Sequence, residues 1–350
     1  MVYLSTRETS INWDVSERRV IELCINGRIP GAVKHSKSWK IPKDSCKPTD
    51  KRVKSGNFVN KNLSVKSIDD LRNLVIQDDC LVAMKYIPSH SIDMILCDLP
   101  YGTTQNKWDS VIPLKPLWKE YKRIIKPNGA IVLTSAGMFT AQLMTSQPDL
   151  FKYRIIWIKS KPTNFLNAKH QPLRKYEDIC VFYNKQPTFN PQMTAGEAYD
   201  KGYRKNQLSG SYGDFTTAHV QSDGQRYPVD LVYFKTAESE GPVWHPTQKP
   251  IELGRYLIRT YTKPGDIVLD NACGSGSFLV SAVLEGRNFI GIGKNEDVAL
   301  FKKDAVDYIQ ISEQRVLNAY KDLSKEKKAT IMAQGVFKPA DGENNNNPVK

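Results

Sequence analysis

Residues 266–278 read DIVLDNACGSGSF: a short apolar strand, Asp266 to Leu269, closed by Asp270 and followed by a loop in which Gly274 and Gly276 flank a serine. A helical pattern continues through Leu284. A strand that ends in a glycine loop and turns into a helix reads as a βα unit of a parallel sheet, and glycines there let a ligand come close to the backbone. Taken alone, the Gly-x-Gly pair is equally well a tight strand-to-helix turn.

Outward from this loop, apolar runs alternate with helical patterns. The runs are Ser91 to Asp98, Ala130 to Ser135, Tyr153 to Ile158, Asp178 to Tyr183, Asp266 to Asp270 and Asn288 to Ile292. That alternation predicts an α/β fold with parallel strands, whose ligands bind at the carboxyl ends of the strands.

A second loop of unusual composition follows the run Ile92 to Cys97, namely Asp98-Leu99-Pro100-Tyr101-Gly102. It places an acid, a rigid proline and an aromatic ring together. An aromatic amine is a poor nucleophile because its lone pair is delocalised into the ring. Two acceptors, the Asp98 carboxylate and the Pro100 carbonyl, would orient its N–H bonds, while Tyr101 stacks on a base flipped out of the duplex.

Composition frames these loops. The 350 residues allow about two domains on length alone. No apolar run is long enough to span a bilayer, and charges interrupt the first thirty residues, so neither a membrane span nor a secretory signal is expected and a cytoplasmic location is. The six cysteines form no Cys-x-x-Cys pair, which speaks against zinc and against a disulfide framework, and no metal site is expected. The net charge is +13, and residues 1–66 hold fourteen Lys or Arg against six Asp or Glu, so the amino end supplies +8 of it. Such a field attracts polyanions, nucleic acid foremost.

That basic end reads as helix (Thr6 to Trp13), a turn at Asp14-Val15, and a second helix capped by Ser16 and stopped by Gly27, with Val20, Leu23 and Cys24 on one face. A hairpin follows, from Arg28–Val33 through a turn at Lys34–Lys37 to Trp39–Pro42. The stretch VSERRVIELCINGRIPGAVKHSKSWKIP (15–42) resembles winged helix-turn-helix domains of the excisionase and MerR type. The resemblance implies DNA binding through Arg18 and Arg19 on the helix and Lys34 and Lys37 on the wing. The alternative is an appendage with a solvated basic face.

The remainder resembles the beta-class amino methyltransferases of DNA. The matching segments are QDDCLVAMKYIPSHSIDMILCDLPYGTTQNKWD (77–109), LWKEYKRIIKPNGAIVLTS (117–135), LRKYEDICVF (173–182), HPTQKPIELGRYLIRTYTKPGDIVLDNACGSGS (245–277) and GRNFIGIGKNED (286–297). In this family the catalytic motif precedes the target-recognition region and the cofactor loop. Protein-glutamine methyltransferases have the opposite order. The resemblance implies a Rossmann-like S-adenosylmethionine-dependent methyltransferase fold with circularly permuted motif order, behind a small winged helix-turn-helix domain.

It further implies catalysis by Asp98, Pro100 and Tyr101. The implied cofactor site comprises Asp79, which contacts the adenine, Asp98, Thr247, Lys249, Asp270, Ala272, Gly274, Ser275 and Gly276. Bland rivals exist for each: Asp98 as a helix cap, Tyr101 and Trp108 as core aromatics, His245 as a satisfied polar residue, Lys249 as a surface charge. Two departures stand out. Leu99 replaces the usual proline of the tetrad, and Gly293 stands where the family carries an acid for the cofactor ribose, with Glu296 or Asp297 as candidate substitutes.

The expected organisation is a winged helix-turn-helix DNA-binding domain at 1–55, a linker at 56–68, a methyltransferase domain at 69–320 and, at 321–350, a C-terminal extension ending in a disordered tail, DGENNNNPVK. Within it, residues 187–243 are rich in Gly, Tyr, Lys, Arg, Gln and Asn with little periodicity, as suits a loop-rich target-recognition insertion in which Arg204, Lys205, Gln207 and Arg226 read or anchor DNA. Asp at the head of the tetrad favours adenine N6 over cytosine N4. The partner is double-stranded DNA and no membrane; a homodimer and a cognate restriction endonuclease are both open. A regulator without turnover and an RNA methyltransferase are the rival classes.

Overall fold

The structure, a computed structural model, describes residues 3–13, 17–25, 29, 31–35, 38–43, 45, 65, 67–104, 109–203, 219–294 and 306–323. The chain divides into two compact units, Met1–Ser55 and Gly56–Lys350. Ser16, Gly27 and Lys37, most of the linker and the C-terminal tail lie outside the described residues, as do the side chains of Arg19 and Leu23.

The small unit runs β1 (Tyr3–Leu4), α1 (Thr6–Trp13), α2 (Glu17–Ile25), β2 (Val33–His35) and β3 (Ser38–Pro42). A reciprocal box opens α1: Glu8 N–H donates to Ser5 Oγ (3.2 Å) while Ser5 N–H donates to the Glu8 carboxylate (2.8 Å), satisfying two donors the helix cannot use itself. Val20 and Cys24, one turn apart on α2, bury against Ile29 and Ile41. The hairpin differs from the sequence reading. Its first strand starts at Val33 rather than ending there, because His35 pairs with Ser38, and β1 adds a third strand on β3. Arg18 and Lys34 are exposed.

In the large unit the elements are β4 (Leu74–Gln77), α3 (Cys80–Ala83), β5 (Ile92–Cys97), α4 (Leu114–Ile124), β6 (Ile125–Ser135), α5 (Met138–Ser146), β7 (Phe151–Thr163) and β8 (Arg174–Phe182). Then come β9 (Thr194–Ala195), β10 (Tyr199–Tyr203), β11 (His219–Ser222), β12 (Gln225–Arg226), β13 (Leu231–Phe234), α6 (Ile251–Tyr261), β14 (Ile267–Asp270), α7 (Ser277–Leu284), β15 (Asn288–Gly293) and α8 (Tyr308–Asp322). The main sheet has eight strands in the order β13-β7-β8-β6-β5-β14-β15-β4. Alternate residues of one strand face opposite layers: Met94 and Leu96 pack with α6, α7 and α8, whereas Ile95 and Cys97 pack with α3, α4 and α5. No helix among the described residues is long and apolar enough to cross a membrane. The five described cysteines are free and buried.

Two sequence expectations need correction. The sheet is mixed, because β8 pairs antiparallel with both β6 and β7; a hairpin needs no crossover helix, and its apolar run looks the same in either direction. The stretch 187–243 is not simply loops: β10 pairs with β11, β12 with β9, and β13 joins the main sheet parallel to β7. As an edge strand β13 buries only one face, with Val232 and Phe234 against the core and Leu231 and Tyr233 exposed.

What positions the site is the pairing of β5 with β14, Met94 opposite Val268 and Ile95 opposite Leu269. The loops that leave these neighbouring strands, at Asp98 and at Asn271, therefore emerge side by side at the carboxyl edge of the sheet, though far apart in sequence.

Candidate active site

The two loops open into one cavity of about 610 Å³, within the range of small-molecule sites. Asp78, Asp79, Asp98, Pro100, Tyr101, Thr247, Lys249, Asp270, Ala272, Gly274 and Ser275 line it. Gly276 does not. It adopts φ +79, and a Cβ there would come within 2.7 Å of Ser312, so this glycine serves the close approach of α8 to the loop rather than a ligand. Gly274, at φ +48, faces open space, with only the His245 ring 3.8 Å from an added Cβ.

Asp98 caps no helix. Its Oδ1 accepts from Tyr101 OH (2.9 Å), from the Thr134 hydroxyl at the end of β6, and from Lys249 Nζ (2.7 Å). None of these donors reaches Oδ2. Lys249 is not a surface charge either: 7% exposed, it bridges Asp98 Oδ1 and Glu177 Oε2 (3.3 Å). Burial favours its neutral form, but Asp98 and Glu177 outweigh burial and push its pKa up to about 12. Glu177 sits between two ammonium groups, since Lys159 of β7 reaches its Oε1 at 3.1 Å. Burial raises the Glu177 pKa, and Lys249 and Lys159 more than offset this, holding it below the ordinary carboxylate value. The result is a four-charge cluster, two cations and two anions, balanced inside the protein.

Tyr101 is tied down rather than free. Its ring stacks on Phe139 (5.3 Å between centroids), Lys249 Nζ lies 5.3 Å from its centroid, and burial followed by the two carboxylates pushes its hydroxyl pKa well up. A base that stacks on Tyr101 must share this ring with the lysine. Downstream, buried Asp109 accepts from the N–H groups of Gly102, Thr103 and Thr104 (2.9, 2.9 and 2.6 Å), which ties the three residues after Tyr101 to its carboxylate. Trp108 lies outside the described residues.

The turn 245–250 is built on its own side chains. Thr247 N–H donates to His245 Nδ1 (3.2 Å), and Gln248 Oε1 accepts from Trp244 N–H (3.0 Å) and from Ser275 Oγ (3.2 Å), which fastens the turn to the glycine loop. Burial pulls the His245 pKa down to about 4, with Lys249 adding to this and Asp98 opposing it. Asp270, buried beneath the loop, is driven up to about 7 by burial.

At the far end of the cavity, Asp79 caps α3 by accepting from Leu81 N–H (2.8 Å) and pairs with Lys294 Nζ (2.9 Å). Gly293 lines the same wall, and its carbonyl accepts from Asp78 N–H (3.1 Å). Glu296 and Asp297 lie outside the described residues; the acids beside Gly293 are Asp78 and Asp79, at the end of the neighbouring strand β4. Asn271, which lines the cavity, accepts at Oδ1 from Tyr121 OH (2.5 Å).

Of the expected DNA-contacting residues in the insertion, Arg204, Lys205 and Gln207 lie outside the described residues. Arg226 is engaged within the insertion: its guanidinium covers the Tyr199 ring at 4.8 Å and donates to the Ser222 hydroxyl and the Glu197 carbonyl. The sequence reading missed Thr134, Lys159, Glu177, Asp109 and Gln248. Asp109, Thr134, Glu177 and Gln248 fall inside segments that match the family, which was the one signal available for them; Lys159 lies outside those segments.

The family model described as DNA methylase (N6_N4_Mtase) matches residues 92–304. The DNA adenine methyltransferase YhdJ of Escherichia coli (strain K12) is 30% identical over 246 residues, covering 64% of this chain and 79% of its own. The type II methyltransferase M.HinfI of Haemophilus influenzae is 26% identical over 288 residues, covering 72% and 70%. Among solved structures, the PvuII DNA methyltransferase (cytosine-N4-specific) shares the fold with a TM-score of 0.50 at 16% identity, over 76% of this chain and 93% of that one.

Proposed function

Since the chain belongs to the DNA methylase family of N6 and N4 amino methyltransferases, we propose that it methylates the N6 amino group of adenine in duplex DNA. The observation that carries this reading is the single cavity shared by the Asp98–Tyr101 loop and the glycine loop after β14. S-adenosylmethionine, when bound, supplies an electrophilic methyl group on a sulfonium. The residues fit such a donor: Asp78 and Asp79 offer carboxylates at one end, and Gly274 leaves room beside the backbone. Asp79, Thr247, Asp270, Ala272, Gly274 and Ser275 would hold it.

The chain's own groups then orient the amine. Asp98 Oδ2, untouched by the three donors on Oδ1, accepts one N–H and the Pro100 carbonyl the other, which favours a more tetrahedral nitrogen with its lone pair directed at the methyl. After transfer the nitrogen carries an extra proton, which Asp98 Oδ2 is placed to take. Lys249, fixed to Oδ1 and to Glu177, stabilises the Asp98 carboxylate that this role requires. Adenine is the preferred target because Asp heads the tetrad and because the relative YhdJ is named an adenine methyltransferase. The basic amino-terminal unit, with Arg18 and Lys34 exposed, adds duplex binding through its helix and wing.

The test is to incubate the full chain with unmethylated duplex DNA and S-adenosylmethionine, digest the DNA and quantify methylated nucleosides by mass spectrometry, with Asp98→Ala as control. N6-methyladenine that depends on Asp98 is expected. N4-methylcytosine would overturn the choice of base, and no methylated nucleoside would overturn the reading.

A further inference from the structure

The hairpin that joins β7 to β8 ends in an apolar tip that stands largely bare among the described residues: Phe165 is 75% exposed and Leu166 82%. The two side chains are neighbours, so they form one contiguous apolar tip rather than two scattered exposed residues. The tip is nevertheless ordered by its own bonds. Asn164 takes the left-handed conformation (φ 71), and a turn of 3-10 helix, Phe165–Asn167, follows. Asn167 N–H and Nδ2 return to the Asn164 carbonyl and side chain (3.1 and 2.7 Å), and His170 and Gln171 donate to the Asn167 carbonyl.

Charge and position indicate what meets this tip. From Lys159 to Tyr176 there is no acidic residue, and Lys161, Lys169, Arg174 and Lys175 flank the tip, all exposed. The stem of the same hairpin is the wall of the active-site cavity: Thr163 and Arg174, paired across the two strands, both line it. Phe165 stands two residues beyond Thr163, roughly 7 Å of extended chain from the rim. A rigid apolar tip within a basic collar, beside the mouth through which a base must enter, has the make-up of a wedge for a base stack.

We propose that Phe165 and Leu166 insert into duplex DNA beside the target nucleotide, replacing the stacking that is lost when the base turns into the cavity, while the flanking basic residues hold the phosphates. This rests on the reading of the protein as a duplex-DNA methyltransferase. The wedge lowers the cost of extrusion, so it matters for paired DNA and not for a strand already unpaired.

The test uses the full chain and the double variant Phe165→Ala/Leu166→Ala, whose exposed positions leave the core intact. Methyl transfer from radiolabelled S-adenosylmethionine is measured on unmethylated duplex DNA and on the same DNA heat-denatured. The variant is expected to lose about ten-fold or more on the duplex, the scale of one lost base–aromatic contact, with little change on denatured DNA and unchanged cofactor affinity. A second variant, Phe165→Trp, keeps the wedge and adds emission that duplex DNA should quench in the presence of S-adenosylhomocysteine. Equal transfer by wild type and double variant, or an unquenched signal from the introduced tryptophan, overturns the proposal. So does a parallel loss on both DNAs with a lower sedimentation coefficient, which would make the tip a contact between two copies of the chain. No transfer by the wild type to either DNA would instead sink the functional reading on which the wedge depends.

Discussion

Lys249 Nζ lies 2.7 Å from Asp98 Oδ1, so the turn after β13 and the loop after β5 are joined by a buried ion pair at the centre of the cavity. Glu177 shares the same ammonium and Lys159 balances Glu177, which makes the cluster a unit rather than a set of pairs.

Removing one charge from that unit should cost more than removing two of opposite sign. Lys249→Met leaves Asp98 and Glu177 facing each other without their common cation, and we expect a loss of about 3–5 kcal/mol in denaturant unfolding. Adding Glu177→Gln removes the surplus anion and should recover a large part of that loss. Methyl transfer should stay low in both variants, because Asp98 has lost its partner in each. Equal stability of the single and double variants would show that Glu177 and Lys249 do not act together.

His245 and Asp270 should pull stability in opposite directions with pH. The His245 pKa falls on folding from 6.5 to about 4, so the folded state binds fewer protons than the unfolded one between these values, and its contribution, full above 6.5, is lost as pH falls toward 4. Asp270 rises from 3.8 to about 7, so its contribution is full below 3.8 and lost as pH rises toward 7. In the wild type the two slopes largely cancel between roughly pH 4 and 6.5. Unfolding of His245→Gln across this range should show stability falling by up to about 1.4 kcal/mol per pH unit, and Asp270→Asn the opposite slope. Parallel profiles for the two variants would refute the assignment.

The two glycines of the cofactor loop should separate stability from binding. Gly276→Ala forces a Cβ to within 2.7 Å of Ser312 at φ +79, and we expect a loss of about 2–4 kcal/mol in thermal or denaturant unfolding. Gly274→Ala meets no close atom and should cost about 1 kcal/mol from its positive φ alone. Isothermal titration with S-adenosylhomocysteine should nonetheless find the weaker binding in Gly274→Ala, because its new methyl enters the cavity. A larger affinity loss in Gly276→Ala would place that glycine on the ligand after all.

Asp109 holds three successive N–H groups behind Tyr101. Asp109→Ala should free this segment and cost about 2–4 kcal/mol, since each of the three bonds contributes roughly 0.5–1.5 kcal/mol and the alanine restores none of them. Hydrogen exchange at Gly102, Thr103 and Thr104 should accelerate, with exchange in β5 and β14 unchanged. Protection that persists at these three amides would show the segment to be held by other contacts.

The sequence by itself determined the βα character of the large unit and both loops that open into the cavity. Those features are local: an apolar run of five or six residues, then a glycine pair or an acid-proline-aromatic cluster, leaves its mark within a dozen positions, and eight of the nine expected cofactor-site residues do line the cavity. Local patterning also located α1 and the buried face of α2.

Only the tertiary structure decided the direction of β8, the docking of β13 on the sheet edge, the attachment of Gly276 to α8, and the partnership of Lys249 with Asp98 and Glu177. Strand direction leaves no trace in hydrophobic periodicity, and a charge that is neutralised by residues distant in the chain looks in sequence like any solvated lysine. Its protonation and its role are set by which neighbours the sheet brings within about 3 Å of it, where a low local dielectric makes each opposite charge count heavily, and that arrangement exists only once β5, β7, β8 and the turn before α6 have assembled.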